Sequence, residues 1–293
     1  MSSLRVGGPG PAPAHRQALA QALNTVSYEV MPFRGTEDAV LAYVPRTIPV
    51  TVTTTEAKGL AATVDLARRL AGHGYSVAPH LAARQVRDGR QLTDLVTELR
   101  EAGIDGIFVI AGDVARPAGG FPDALSLLEA LDANGHHFRR IGIGGYPEGH
   151  GSIRQELIDR AIELKARYAT HVITQLCFDA ATISAWARRL KERGVGLPIH
   201  VGLPGAVSRQ KLIRISAGLG LGQSARFLNK QQSLLWRFFL PGGYSPDRLV
   251  ERLAPRVCDP EGNLAGFHLF TFNELEKTES WRRGMLLRAG YLT

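Results

Sequence analysis

The sequence predicts a single-domain (β/α)8 barrel, and three observations carry that expectation. Eight short runs rich in β-branched and aromatic residues recur along the 293 residues, most of them leading into a stretch whose apolar side chains have helical spacing. Strands that alternate with helices pair in parallel through right-handed crossovers. The first run is not followed by the GxGxxG turn of an open dinucleotide-binding sheet, so eight such units favour closure into a barrel.

In order, the expected strands are residues 25–31 (TVSYEVM), 48–54 (IPVTVTT), 75–80 (YSVAPH), 106–111 (GIFVIA), 140–145 (RIGIGG), 171–177 (HVITQLC), 197–203 (LPIHVGL) and 267–272 (FHLFTF). Between the second and third lies LAATVDLARRLAGHG, an amphipathic stretch that Gly72 and Gly74 are suited to stop. LTDLVTELREAGI, DALSLLEALDANG, IRQELIDRAIELKARY and AATISAWARRLKERG have the same character, the last ending at Gly194. From Pro204 to Leu264 the chain is long enough for several helices, SARFLNKQQSLLWRFF among them. The first 14 residues, rich in Gly, Pro and Ser, read as a flexible tail, and residues 15–293 as the barrel domain.

Composition narrows the function. A hydrophobic content of 44% supports a large core, and no run approaches the ~20 apolar residues of a membrane span. Cys177 and Cys258 form neither a disulfide framework nor a CxxC pair, which makes the cytoplasm the default compartment. The net charge of +8 raises nucleic acid as a partner. The Arg residues are scattered over the helices, however, with no basic stripe interleaved with aromatics, so a solvated surface is expected and no nucleic-acid partner. Neither a metal-ligand cluster nor a GxSxG elbow is present, and His136-His137 falls in a loop.

Active sites of such barrels form at the C-terminal ends of the strands. Those ends carry Glu29, Thr53, His80, Gly112-Asp113, the loop from Tyr146 through Glu148 to His150, and Thr174-Gln175. Burying an acid as its anion is costly, so an apolar strand favours the protonated form, the state a general acid needs. Glu29 is the candidate, and a rim Glu paired with an Arg is the alternative. Asp113 follows Gly112, which permits a tight turn or a close approach to ligand. Its choices are stabilising a developing cation or capping a turn. Gln175 offers a donor and an acceptor to a heterocycle edge, or else bonds only to neighbouring backbone.

The motifs SYEVMPF, APHLAAR, VIAGD, GIGGYPEGH, ITQLCFD and FHLFTFNELE occur in that order over about residues 26–281. Together they resemble the strand-end motifs of the methylenetetrahydrofolate reductases. The resemblance implies reduction of 5,10-methylenetetrahydrofolate to 5-methyltetrahydrofolate with electrons from NADH or NADPH. It implies Glu29 as general acid and Asp113 as the carboxylate near the pterin. Gln175, Ser27 and Phe270 become substrate-binding positions, and Thr53, His80, Tyr146 and His150 fall where the family contacts its FAD.

The departures bear on that flavin. Ala111 stands where the family's LRGD motif has Arg, and Thr54-Thr55 replaces an aromatic and Gly. A shortened stretch before ITQ puts Arg160, Glu163 and Arg167 at the ribose and phosphate positions, and Glu274 replaces a folate-contacting Arg. The set resembles a divergent, flavin-independent branch, and the expectation is direct hydride transfer from the nicotinamide. The FAD-dependent reaction, a barrel oxidoreductase for a non-folate substrate and a non-catalytic binding barrel are the alternatives. A monomer or small homo-oligomer is expected.

Overall fold

The computed structural model describes residues 13–150, 153–206 and 245–291. Eight parallel strands close into a barrel in sequence order. They are β1 (Ser27–Val30), β2 (Val50–Val52), β3 (Val77–Ala82), β4 (Gly106–Ile110), β5 (Arg140–Gly145), β6 (His171–Thr174), β7 (Ile199–Pro204) and β8 (Leu264–Phe270). Pairing of β8 with β1 seals the cylinder, with Ser27 opposite His268 and Glu29 opposite Phe270.

Nine helices among the described residues surround the strands: α1 (Pro13–Asn24), α2 (Thr36–Tyr43), α3 (Gly59–Gly72), α4 (Gly89–Glu101), α5 (Ala124–Asn134), α6 (Gln155–Ala166), α7 (Ala180–Glu192), α8 (Asp247–Val257) and α9 (Leu275–Arg288). Local chemistry sets several boundaries. Asp88, Asp123 and Asp179 accept a backbone N–H at the starts of α4, α5 and α7, satisfying donors that the first turn leaves open. Gly74 and Gly194 adopt φ of +83° just past α3 and α7, a conformation that costs glycine nothing. The main core lies between barrel and helices, where Tyr28, Leu70, Leu81, Leu99, Trp186 and Phe267 are fully buried.

All eight strands form where the periodicity places them, with ends displaced by a few residues. β3 runs on to Ala82 and β8 begins at Leu264, whereas β6 stops at Thr174, so Gln175 lies just beyond the strand. The spacing assigns no helix to α1, α2 or α9, while α8 lies within the stretch from Pro204 to Leu264 expected to hold several helices. α2 has only eight residues, α8 contains Pro255, and α9 buries a charged pair on its inner face. There Glu279 accepts from Tyr28 Oη at 2.7 Å and pairs with Arg282 at 2.8 Å, so charges occupy positions where an apolar stripe would otherwise mark the helix. Residues 1–12 of the expected tail, and the SARFLNKQQSLLWRFF segment, lie outside the described residues. No described helix is long and apolar enough to cross a membrane.

Candidate active site

The outward turn of Tyr28 toward α9 fixes what β1 presents inside. Side chains alternate along a strand, so Ser27 and Glu29 face the barrel interior. Glu29 Oε2 lies 3.5 Å from His80 Nε2 and 3.7 Å from His268 Nε2. The two imidazoles are almost entirely enclosed, while the Glu29 side chain keeps 16% exposure toward the C-terminal mouth. Ser27 Oγ and His268 Nδ1 share a 2.7 Å hydrogen bond. With the hydroxyl donating, His268 carries its proton on Nε2, facing the carboxyl. Phe270 sets its ring edge-on to His268 at 5.2 Å, and His80 packs on Phe108 at 4.7 Å. Burial pulls the His80 pKa down to about 4 against the opposing pull of Glu29, with His268 adding to the fall. At neutral pH His80 is an uncharged imidazole with one donor and one acceptor.

A scaffold of backbone contacts holds this carboxyl in place. Thr271 Oγ1 donates to the Glu29 carbonyl at 2.6 Å. Asn273, at φ +61°, accepts from Met31 N and donates to Met31 O and Thr36 Oγ1. One side chain thereby ties the loop after β8 to the loop after β1. Thr53 N donates to Val30 O just past β2, and Thr54 Oγ1 donates to the His80 carbonyl at 2.6 Å.

A second group gathers beyond β4, β5 and β6. Gly112 has φ +88°, and a Cβ there would stand 3.0 Å from Ala82 Cβ, so the turn that delivers Asp113 is built for glycine. Asp113 is exposed, and its charge reaches Tyr146, whose hydroxyl pKa is raised chiefly by burial and further by that carboxylate. The Tyr146 ring meets His150 edge to face at 5.3 Å, leaving an aromatic surface suited to a planar heterocycle. Glu148 accepts from Phe178 N at 3.0 Å and locks this loop to the one after β6. Gln175 is half-buried, its backbone N–H bonded to Gly145 O and its Oε1 accepting from Leu176 N.

The residues singled out in the sequence therefore fall into two clusters at the same end of the barrel. Glu29, Ser27, His80 and Phe270 form the inner one, and Asp113, Tyr146 and His150 the outer, with Gln175 bordering the latter just past β6. Thr53 lies beside the inner cluster at the end of β2. Glu163 behaves differently from its expected place at a phosphate. It lies in the C-terminal half of α6 and pairs with Arg193 at 2.6 Å and Arg160 at 3.5 Å. Arg193 caps the far end of α7, so this acid faces the N-terminal rim, because a helix that leaves the mouth carries its later turns away from it. Glu274 pairs with Lys277 at 2.7 Å. The sequence reading misses His268, although counting back by twos along β8 from Phe270 puts it on the same inner face. Among the described residues no three His, Cys, Asp or Glu side chains are grouped to hold a metal ion.

The methylenetetrahydrofolate reductase family model matches residues 15–220. The chain is 27% identical over 210 residues to a Caenorhabditis elegans protein named "probable methylenetetrahydrofolate reductase (NADPH)", covering 68% of this chain and 31% of that protein. It is likewise 27% identical over 202 residues to methylenetetrahydrofolate reductase 2 of Saccharomyces cerevisiae, covering 64% and 32%. The chain thus spans about a third of the length of the curated relatives it matches. Among solved structures, a C-terminal domain from Desulfitobacterium hafniense DCB-2 that goes under a chitinase name superposes with a TM-score of 0.51 at 14% identity, over 92% of this chain and 99% of that one. That likeness carries the fold alone.

Proposed function

The chain belongs to the methylenetetrahydrofolate reductase family, and on that premise we propose that it reduces 5,10-methylenetetrahydrofolate to 5-methyltetrahydrofolate with a reduced nicotinamide nucleotide. The observation that carries the reading is the carboxyl of Glu29, set between His80 and His268 at the mouth with one face open to a substrate. Glu29 protonates the nitrogen whose bond to the one-carbon bridge breaks, leaving an iminium cation on the substrate. Asp113 supplies negative charge where that cation develops. Ser27, Gln175 and Phe270 border the pterin, and Thr53, Tyr146 and His150 the nucleotide. His80, 4% exposed, acts chiefly on Glu29. A bound nicotinamide provides the hydride that the iminium carbon requires, while the barrel supplies orientation and charge.

A flavin fits this chain poorly. Position 111 presents only a methyl group, which offers an anionic ligand no donor. Glu163, aligned with the phosphate-binding stretch, is held at the opposite rim by Arg193 and Arg160. The reading therefore takes hydride transfer as direct, within a ternary complex. The test is the visible spectrum of the purified protein, joined to initial rates with methylenetetrahydrofolate and NADH or NADPH. A colourless protein with intersecting double-reciprocal lines is expected. A yellow protein with parallel lines overturns the flavin-free reading, and no turnover of the folate overturns the activity.

A further inference from the structure

The barrel interior below Glu29 is unusually polar. Barrels of this kind fill their centre with layers of branched apolar side chains. Here the inward positions include His171 on β6, His200 on β7, and His268 and His80 around Glu29. Facing glycines make the room. A Cβ on Gly142 would stand 2.7 Å from His171 Nε2, and one on Gly266 would stand 3.0 Å from His200 Nδ1. The His171 and His200 rings meet edge to face at 5.5 Å, and His268 lies within electrostatic reach of both and of His80. Four inward polar atoms, His80 Nε2, His268 Nε2, His200 Nδ1 and Thr51 Oγ1, are buried without a protein hydrogen-bond partner. Buried polar atoms of this kind are satisfied by internal water. At the N-terminal rim the series reaches the half-buried His171, whose Nδ1 bonds Thr170 Oγ1 at 2.9 Å beside the Arg140–Asp105 pair.

We infer that these imidazoles, joined by internal water, form a proton path from the N-terminal face of the barrel to Glu29, re-arming the acid after each turnover. The inference rests on the general-acid role of Glu29 proposed above. That reaction consumes one proton per turnover: it leaves the Glu29 carboxyl, forms the new N–H bond as the C–N bond breaks, and hydride completes the methyl group. The carboxylate then takes a proton from the water or imidazole beside it, and the deficit passes along the series to His171, which takes one from bulk solvent. Burial holds His171 near 3 and His200 near 4. Each is therefore neutral and keeps both a donor and an acceptor, the condition for handing a proton on. Around His171 the charged or titratable groups are His200, His268 and Arg140; around His268 they are Glu29, His80, His171 and His200. A path from below serves Glu29 while folate and nucleotide still cover the mouth.

The experiment compares first and later turnovers in rapid mixing of the whole protein with NADH and methylenetetrahydrofolate. His200→Leu puts an apolar side chain in the path, and His200→Gln keeps polarity but cannot exchange tautomers. The general-acid role has Glu29 holding its proton when substrate first binds, so each variant is expected to complete its first turnover at the wild-type rate and then slow by about tenfold or more in steady state. The solvent deuterium effect should grow only in the later phase. Equal slowing of both phases, as from damage to the fold, or wild-type rates in both, overturns the path. Glu29→Gln is the control: loss of its first turnover with normal His200 variants condemns the path alone. A normal first turnover in Glu29→Gln condemns the acid role and the path together.

Discussion

Glu29 illustrates how neighbours define a side chain. An acid on an apolar strand faces a desolvation penalty, and two imidazoles within 4 Å, one of them the uncharged His80, give its carboxyl polar company. Removing the acid while keeping its shape isolates the chemistry. Glu29→Gln is expected to lower turnover by a factor on the order of 10²–10⁴ with the fold intact, read from steady-state rates and a thermal melt. Asn273 works at the same scale but on the frame. Its amide makes three bonds across the β8–β1 seam, and Asn tolerates the left-handed backbone there. Asn273→Ala leaves a backbone N–H and a hydroxyl short of partners and should cost about 1–3 kcal/mol in urea unfolding, with a fall in turnover as the Glu29 loop loosens.

At the scale of elements, most of the fold was legible because one physical rule was repeated eight times. A strand buried on both faces reads as a β-branched run, and an outer helix as a 3.6-residue apolar stripe. α3, α4, α5 and α7 obey the rule and were readable, whereas α9 hides behind the buried Glu279–Arg282 pair and α2 is too short to show a period. The run RIGIGG of β5 makes the point about packing. Its glycines look like weakness in a strand, yet a Cβ on Gly142 would stand 2.6 Å from Phe108 Cδ2 and 2.7 Å from His171 Nε2. Gly142→Ala should therefore destabilise by about 1–3 kcal/mol through overpacking, seen as a lower urea midpoint. At the start of α5, Asp123→Ala removes a capping box and should cost about 1 kcal/mol, measured in the same way.

The whole molecule registers the histidines as acid sensitivity. His80, His171 and His200 have an ordinary value of 6.5, and burial lowers them to about 4, about 3 and about 4. Between 6.5 and those values the unfolded chain binds protons that the folded one refuses, so stability rises with pH across that window. Their contribution is complete above about 6.5 and is lost as the pH falls toward 4. For His80 alone it amounts to about 3 kcal/mol. Thermal melts at stepped pH should show the midpoint falling steeply below about 6 in the wild type, and less steeply in His200→Gln. A flat profile down to pH 4.5 contradicts the enclosure of these rings.

The sequence by itself determined the barrel, its strand order and the mouth-facing candidates, because periodicity and turn chemistry are local and survive without knowledge of partners. Glu29, Asp113 and Tyr146 stood out as polar residues at the ends of apolar runs. Only the tertiary structure decided that Glu29 sits between His80 and His268, residues 51 and 239 positions away in the chain. It alone separated Glu163 from the mouth and placed His171 and His200 against one another. The reason is closure: which inward side chains meet depends on the stagger of eight strands around one axis, and that geometry is not written in any local stretch of sequence.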